Sequence, residues 1–270
     1  SGLSSLAKAQ AGSSLGFKPI GLSTEDRVIV PEGYTTNVVI RWGDPMGRGA
    51  KRFNINNWDA RSQENAFGYN VDYISWLPLP DFASGNSRRA ILWANHEYTN
   101  PELMFPGYKQ GSPTKEQVDI ELAAHGGSAV EVRRNADGSI YYVPVSVYNR
   151  RITATTPMEL TGPAAGHPLL QTKADPSGKR VLGMLNNCAG GTTPWGTILT
   201  AEENFNQYFA GNNALPDGLV KRSHARYGLP GGNSGRRWEL FYERFDLTKE
   251  PNEPFRHGWI VEIDPYDPSS

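Results

Sequence analysis

The single cysteine of the chain lies in a stretch whose residue types could assemble a metal site: Asn186-Asn187-Cys188-Ala189-Gly190-Gly191-Thr192-Thr193-Pro194-Trp195-Gly196-Thr197-Ile198-Leu199-Thr200-Ala201-Glu202-Glu203-Asn204-Phe205. Gly190, Gly191, Pro194 and Gly196 let the backbone bend sharply, so Cys188 reads as a loop residue. Residues 197–200 read as a short strand that ends on two carboxylates and an amide. A thiolate suits iron, zinc or copper, and carboxylate or amide oxygens suit calcium or magnesium. The same residues also have a plainer reading. A lone cysteine with no CxxC partner is usually a small buried hydrophobe, and paired glutamates after a strand commonly form a solvated turn.

Other residues could contribute. Asn95-His96-Glu97 offers three ligand types at the end of a strand-like run. Strand alternation points Asn95 and Glu97 one way and His96 the other, which makes Glu97, with Asn95, the calcium candidate and His96 a packing or supporting residue. Asn70 and Asp72 share a strand side and could supply oxygen ligands, a polar tether or simply a wet face. His125 and His167 each adjoin Gly-rich loops, where a histidine could serve as base to the Cys188 thiol, or else pack or cap. Lys18, Arg41, Arg48, Lys51 and Arg52 form a basic cluster able to meet a phosphate ester, or to lie solvated at the surface. GxxxxGK[ST] does not occur, which removes the common nucleotide-phosphate loop.

The elements that must position these residues are mostly strands. Residues 28–30, 35–41, 70–79, 88–94, 129–134, 139–148, 151–155 and 259–263 carry β-type patterning, and Asp137-Gly138 marks a hairpin turn. Residues 113–125 are the clearest helix, with Val118, Leu122 and His125 on one face and Gly126-Gly127 as the stop. Residues 44–59 and 156–168 read as loops, 181–185 lead into the cysteine stretch, and 210–237 read as a polar, Gly/Asn-rich excursion from the core. No strict internal repeat is present. Short strands separated by turn clusters favour a propeller or a sandwich.

Composition sets the outer bounds. The 270 residues suffice for one large domain or two small ones. The 29 Gly and 20 Pro imply many turns rather than long helices. A net charge of −1 gives no basic excess for nucleic acid. No apolar run approaches the ~20 residues of a membrane span. One cysteine excludes an intramolecular disulfide framework. Residues 1–14, rich in Ser, Ala and Gly and without a long apolar core, read as a flexible tail of the kind that remains when an export signal is removed.

The cysteine stretch closely resembles the signature of the PhoX family of alkaline phosphatases, and further blocks follow in order. Leu15-Gly16-Phe17-Lys18-Pro19-Ile20, Val30-Pro31-Glu32-Gly33-Tyr34 and Arg41-Trp42-Gly43-Asp44-Pro45 resemble the opening of the family. Phe67-Gly68-Tyr69-Asn70-Val71-Asp72-Tyr73, Ala94-Asn95-His96-Glu97-Tyr98, His125-Gly126-Gly127-Ser128 and Leu160-Thr161-Gly162-Pro163-Ala164-Ala165-Gly166-His167 come next. The resemblance implies an all-β fold of propeller type with long loops and few short helices, occupying residues 15–270. It implies a phosphomonoesterase dependent on calcium and iron, with Cys188 on iron, Glu97 on calcium, and Glu202 or Glu203 as a further metal ligand. On this reading Cys188, Glu202 and Glu203 serve the chemistry. The implied substrates are small phosphate esters, and the implied setting is a monomer exported to the periplasm or beyond by a twin-arginine signal. Family members are roughly twice this length, so the chain corresponds to their first half and is expected to be an incomplete phosphatase by itself. The alternative is a β-rich calcium-binding or interaction module with a buried cysteine, or a thiol hydrolase pairing Cys188 with a histidine.

Overall fold

The computed structural model describes residues 16–269, and the expected tail at 1–14 lies outside them. The chain divides into two compact units between Val39 and Ile40. In the first, the described residues form turns and extended chain without helix or strand. Local contacts hold them, among them the Lys18–Glu32 ion pair at 3.8 Å and the edge-on rings of Phe17 and Tyr34. The strands expected at 28–30 and 35–41 are absent. Their β-branched residues satisfy a local pattern, but a strand needs a neighbour for its backbone groups. Here Val28 and Val38 remain exposed instead.

The second unit is built from antiparallel sheets. Its strands are β1 (Val71–Pro78), β2 (Arg89–His96), β3 (Gly126–Arg134), β4 (Ile140–Tyr142), β5 (Arg150–Ile152), β6 (Pro157–Glu159), β7 (Arg180–Leu182), β8 (Asn187–Thr192), β9 (Ile198–Glu202) and β10 (Ile260–Ile263). The helices are α1 (Ala60–Glu64), α2 (Pro101–Met104), α3 (Lys115–Ala124) and α4 (Leu219–Arg226). The first sheet runs β1-β2-β3-β4, with β5 also on β3; the second runs β10-β9-β8; β6 and β7 pair alone. The coarse expectation of a β-rich, antiparallel fold with few short helices therefore holds. Among the described residues no sheet closes into a barrel, and no helix is long and apolar enough to cross a membrane.

Sequence explains the best-defined elements. Thr114 and Gln117 form a reciprocal capping box that starts α3. Gly126, at φ 98, ends it. Arg151 then donates to the carbonyls of Ala123 and His125, satisfying acceptors at the helix terminus. Trp93, Leu77, Ile91, Met184, Ile198 and Ile263 form one core between the first and second sheets. Tyr208, Trp238, Phe209 and Phe245 form another, against Val118 and Leu122 of α3.

Three expectations fail here, the first at residues 157–159, expected within a loop but paired with β7 as β6. The cysteine stretch is not a loop, because residues 187–192 pair with β9 as β8. Residues 210–237 are no excursion: they hold α4 and bury Asn212, His224, Leu229 and Ser234. Their anchoring comes from isolated apolar residues and internally bonded polar ones, such as His224 with Asn212 at 3.3 Å. Neither leaves a periodic signature.

Candidate metal centre

Two interruptions in strand pairing create the site. The β1–β2 register shifts between Val71 and Ile74, the segment that carries Asp72. The β8–β9 register shifts between Asn187 and Gly190, the segment that carries Cys188. Bulges of this kind re-aim side chains out of the regular alternation. Here they bring the Cys188 Sγ to donate to Asp72 Oδ2 at 3.1 Å. Glu97 joins them, and the ligand atoms of Asp72, Glu97 and Cys188 all lie within 4.8 Å of one another.

The approach of β8 to the first sheet is tightly specified. A Cβ on Gly190 would stand 2.3 Å from the Tyr73 ring, so only glycine allows this contact. Ser75 and Thr192 share a hydrogen bond at 2.7 Å. Asn95 donates to the Cys188 carbonyl at 2.8 Å and accepts from the Trp93 indole at 2.8 Å. The cysteine backbone is thus fixed by a buried amide of β2, which is itself held by a core tryptophan.

Glu97 and Glu203 each follow directly on a strand end. The Glu97 N–H donates to the Asn70 carbonyl at 3.1 Å, and the Glu203 N–H donates to the Asn186 carbonyl at 2.9 Å. Asn70 has φ 47 and Asn186 has φ 60, left-handed conformations that asparagine tolerates better than most residues. Asn186 also accepts from the Asn204 N–H at 2.8 Å and donates to the Tyr208 hydroxyl at 3.2 Å.

The cluster is electrostatically unbalanced by itself. Partial burial, followed by the hydrogen bond and charge of Asp72 and the charge of Glu203, pushes the Glu97 carboxyl up to about 7. Hydrogen bonds first to Glu203 and then to Asp72, with burial and nearby carboxylates, push the Cys188 thiol well above its ordinary range. Two carboxylates and a thiol around one point, with the Glu203 charge nearby, repel a further negative charge and favour a cation. This donor set combines a soft sulfur with hard oxygens, both of which suit metal cations.

The structure brings Cys188 and Glu97 together, places Glu203 near enough to act on both electrostatically, and leaves Glu202 out. Successive residues on a strand face opposite ways, and Glu202 points into the interior. Its carboxylate accepts from the N–H groups of Leu185 at 2.8 Å and Gly258 at 2.8 Å and meets His257 Nδ1 at 3.3 Å. Asn95 is likewise no ligand, since it is buried and engaged as described. His96 is a buried packing residue that contacts Ser128 Oγ at 2.6 Å and the Gly68 N–H at 3.2 Å.

No histidine serves the thiol. His125 lies between the Glu121 carbonyl and the Tyr208 hydroxyl, and burial with the nearby Arg236 charge pushes it down to about 3. His167 accepts from the Leu169 N–H. Of the early basic residues, Lys51 pairs with Asp59 at 3.5 Å, and Arg41, Arg48, Lys51 and Arg52 do not line the cleft beside Glu97.

That cleft has a volume of about 370 Å³ and is lined by Glu97, Tyr98, Asn186, Asn204, Gln207 and Arg236 among others. Asp72 and Arg236 are the residues that sequence reading underweights. Asp72 carries only the signal of a polar strand residue, and Arg236 follows the Gly-rich run Gly231-Gly232-Asn233-Ser234-Gly235 without any periodic context.

Residues 15–270 match the family Alkaline phosphatase PhoX. Among solved structures, the chain is similar to Pseudomonas fluorescens PhoX in complex with vanadate, a transition state analogue, with 42% identity and a TM-score of 0.87. The alignment covers 94% of this chain and 43% of that one, so the chain spans less than half the length of its solved relative. No curated protein matches.

Proposed function

The chain belongs to the PhoX alkaline phosphatase family, and from that premise we propose that Asp72, Glu97, Cys188 and Glu203 form part of a calcium- and iron-dependent phosphomonoesterase centre. The observation that carries this reading is the convergence of the Asp72, Glu97 and Cys188 ligand atoms within 4.8 Å, on residues delivered by two separate sheets.

Cys188 would hold iron, and Glu97 and Glu203, with Asp72, would hold calcium. Bound multivalent cations neutralise phosphoryl oxygens, lower the pKa of a bound water and stabilise the leaving oxygen. The chain's own residues set up that state. Loading displaces the protons held at Cys188 Sγ and on the Glu97 carboxyl. Asn70 and Asn186 fix the backbone of the two glutamates, and Asn95 fixes that of the cysteine. The cleft beside Glu97, lined by Tyr98, Asn204 and Gln207 among others, would take the alcohol portion of a small phosphate ester.

On the same reading the antiparallel sheets are blades of a β-propeller, and the protein is exported and works as a monomer. The solved relative holds vanadate, a transition state analogue, which fits a phosphoryl-transfer site in this family.

In a protein of the family's full length, elemental analysis together with p-nitrophenyl phosphate hydrolysis before and after EGTA tests the proposal. Iron with calcium, and activity lost to EGTA and restored by calcium, is the expected result. Full activity with calcium verifiably absent sinks it; calcium alone with no turnover favours the non-catalytic module.

A further inference from the structure

The cation lining the cleft beside Glu97 is bound to protein acceptors rather than left open for substrate. Arg236 Nε and Nη2 both donate to Gln207 Oε1, at 3.0 and 2.8 Å. Nη1 donates to the Thr99 carbonyl at 2.5 Å and to Thr99 Oγ1 at 2.9 Å, and it stands 3.5 Å from Glu121 Oε2. Thr99 lies two residues after Glu97, and Gln207 four residues after Glu203. The guanidinium therefore joins the turn leaving β2 to the turn leaving β9. Its side chain is only 11% exposed, and the rings of Tyr98 and Tyr208 lie 5.9 and 5.6 Å from its centre.

The segment that delivers it is itself fixed. Arg237 adopts φ 59, and its N–H donates to Ser234 Oγ at 2.7 Å. Ser234 in turn donates to the Glu239 carboxylate through both its hydroxyl and its N–H. Buried Glu121 accepts from the Thr99 hydroxyl at 2.6 Å and supplies the charge opposite the guanidinium.

We propose that Arg236 is a positioning residue, a planar fork that holds the Glu97 and Glu203 turns at the separation cation binding requires. Lysine cannot replace it, because an ammonium supplies charge without a rigid two-sided fork. The consequence for calcium rests on the proposed function, whereas the bridging of the two turns does not.

Hydrogen exchange read by mass spectrometry, with calcium titration in parallel, tests the clamp in Arg236→Lys and Gln207→Leu. Arg236→Lys keeps the charge facing Glu121 and should speed exchange in residues 97–100 and in 203–207 together. Gln207→Leu cuts one arm and should loosen 203–207 alone. Both variants should lower calcium affinity by about 10-fold to 100-fold, the range for removing a partner that orients a ligand. Wild-type exchange in both turns of Arg236→Lys overturns the proposal, since charge alone would then suffice. A Lys variant that does not fold leaves the decision to Gln207→Leu, where unchanged exchange and affinity would equally overturn it. A parent protein that binds neither calcium nor iron removes the proposed function, while exchange still decides the clamp.

Discussion

Asn70 and Asn186 perform the same task on two different sheets. Each adopts a left-handed backbone, and each gives its carbonyl to the N–H of a cluster glutamate, Asn70 to Glu97 and Asn186 to Glu203. Their side chains differ in a way that can be measured. The Asn186 side chain is bonded to Asn204 and Tyr208, whereas the Asn70 amide nitrogen is buried without a partner. Asn186→Gly should therefore destabilise the protein by about 1–3 kcal/mol through lost hydrogen bonds. Asn70→Gly should stay within about 1 kcal/mol, because glycine suits the backbone and no bond is lost. Urea denaturation of the two variants checks the contrast; equal losses would contradict it.

The adjacent glutamates separate stability from binding. Glu202→Gln breaks a buried pairing with His257 and should cost about 3–5 kcal/mol of stability. Glu203→Gln, at an exposed position, should leave the denaturation midpoint nearly unchanged and remove cation binding. Thermal denaturation and metal analysis read the two effects side by side, and a reversed pattern would put Glu202 in the centre.

How much of this was legible in the sequence follows from the kind of signal involved. The α3 helix was readable because its cap residues Thr114 and Gln117 and its stop at Gly126 are local. Cys188 and Glu97 stood out by residue type and position after a strand-like run. The choice between Glu202 and Glu203 was not legible, since it depends on which face of β9 meets the core. Asp72 stood among the possible oxygen ligands but could not be told from a wet strand residue, because its aim comes from a register shift against β2, which only pairing reveals. Residues 35–41 misled for the same reason in reverse: the pattern was present and the partner strand was not.

The cluster should make stability depend on pH in a distinctive direction. Glu97 is raised from 4.5 to about 7 in the folded, cation-free protein. Between those values the unfolded chain ionises while the folded chain still holds the proton, so this group favours folding at low pH and loses that contribution as pH rises toward 7. Calcium should oppose the loss by displacing the proton. Denaturation midpoints of the parent and Glu97→Gln, compared across that range with and without calcium, should show the falling component only in the cation-free parent.

Gly190 tests the docking of β8. Gly190→Ala sets a methyl against the Tyr73 ring, and overpacking of this kind typically costs about 1–3 kcal/mol. Adding Tyr73→Leu should recover part of that loss. A double-mutant cycle by urea denaturation measures the coupling, and strict additivity would place the clash elsewhere.

The sequence separation of 116 between Asp72 and Cys188 carries a consequence for when the centre can exist. Neither sheet alone presents both groups, so the pair forms only after the closure of a very long loop, a late kind of event in folding. A nascent or partly folded chain has no cluster to offer, which delays loading until the two sheets have met. On the proposed reading, cations held where these groups meet would tie the first sheet to the second, and their binding free energy would add to the stability of the docking. Occupancy of the centre is then a record that the chain has finished folding.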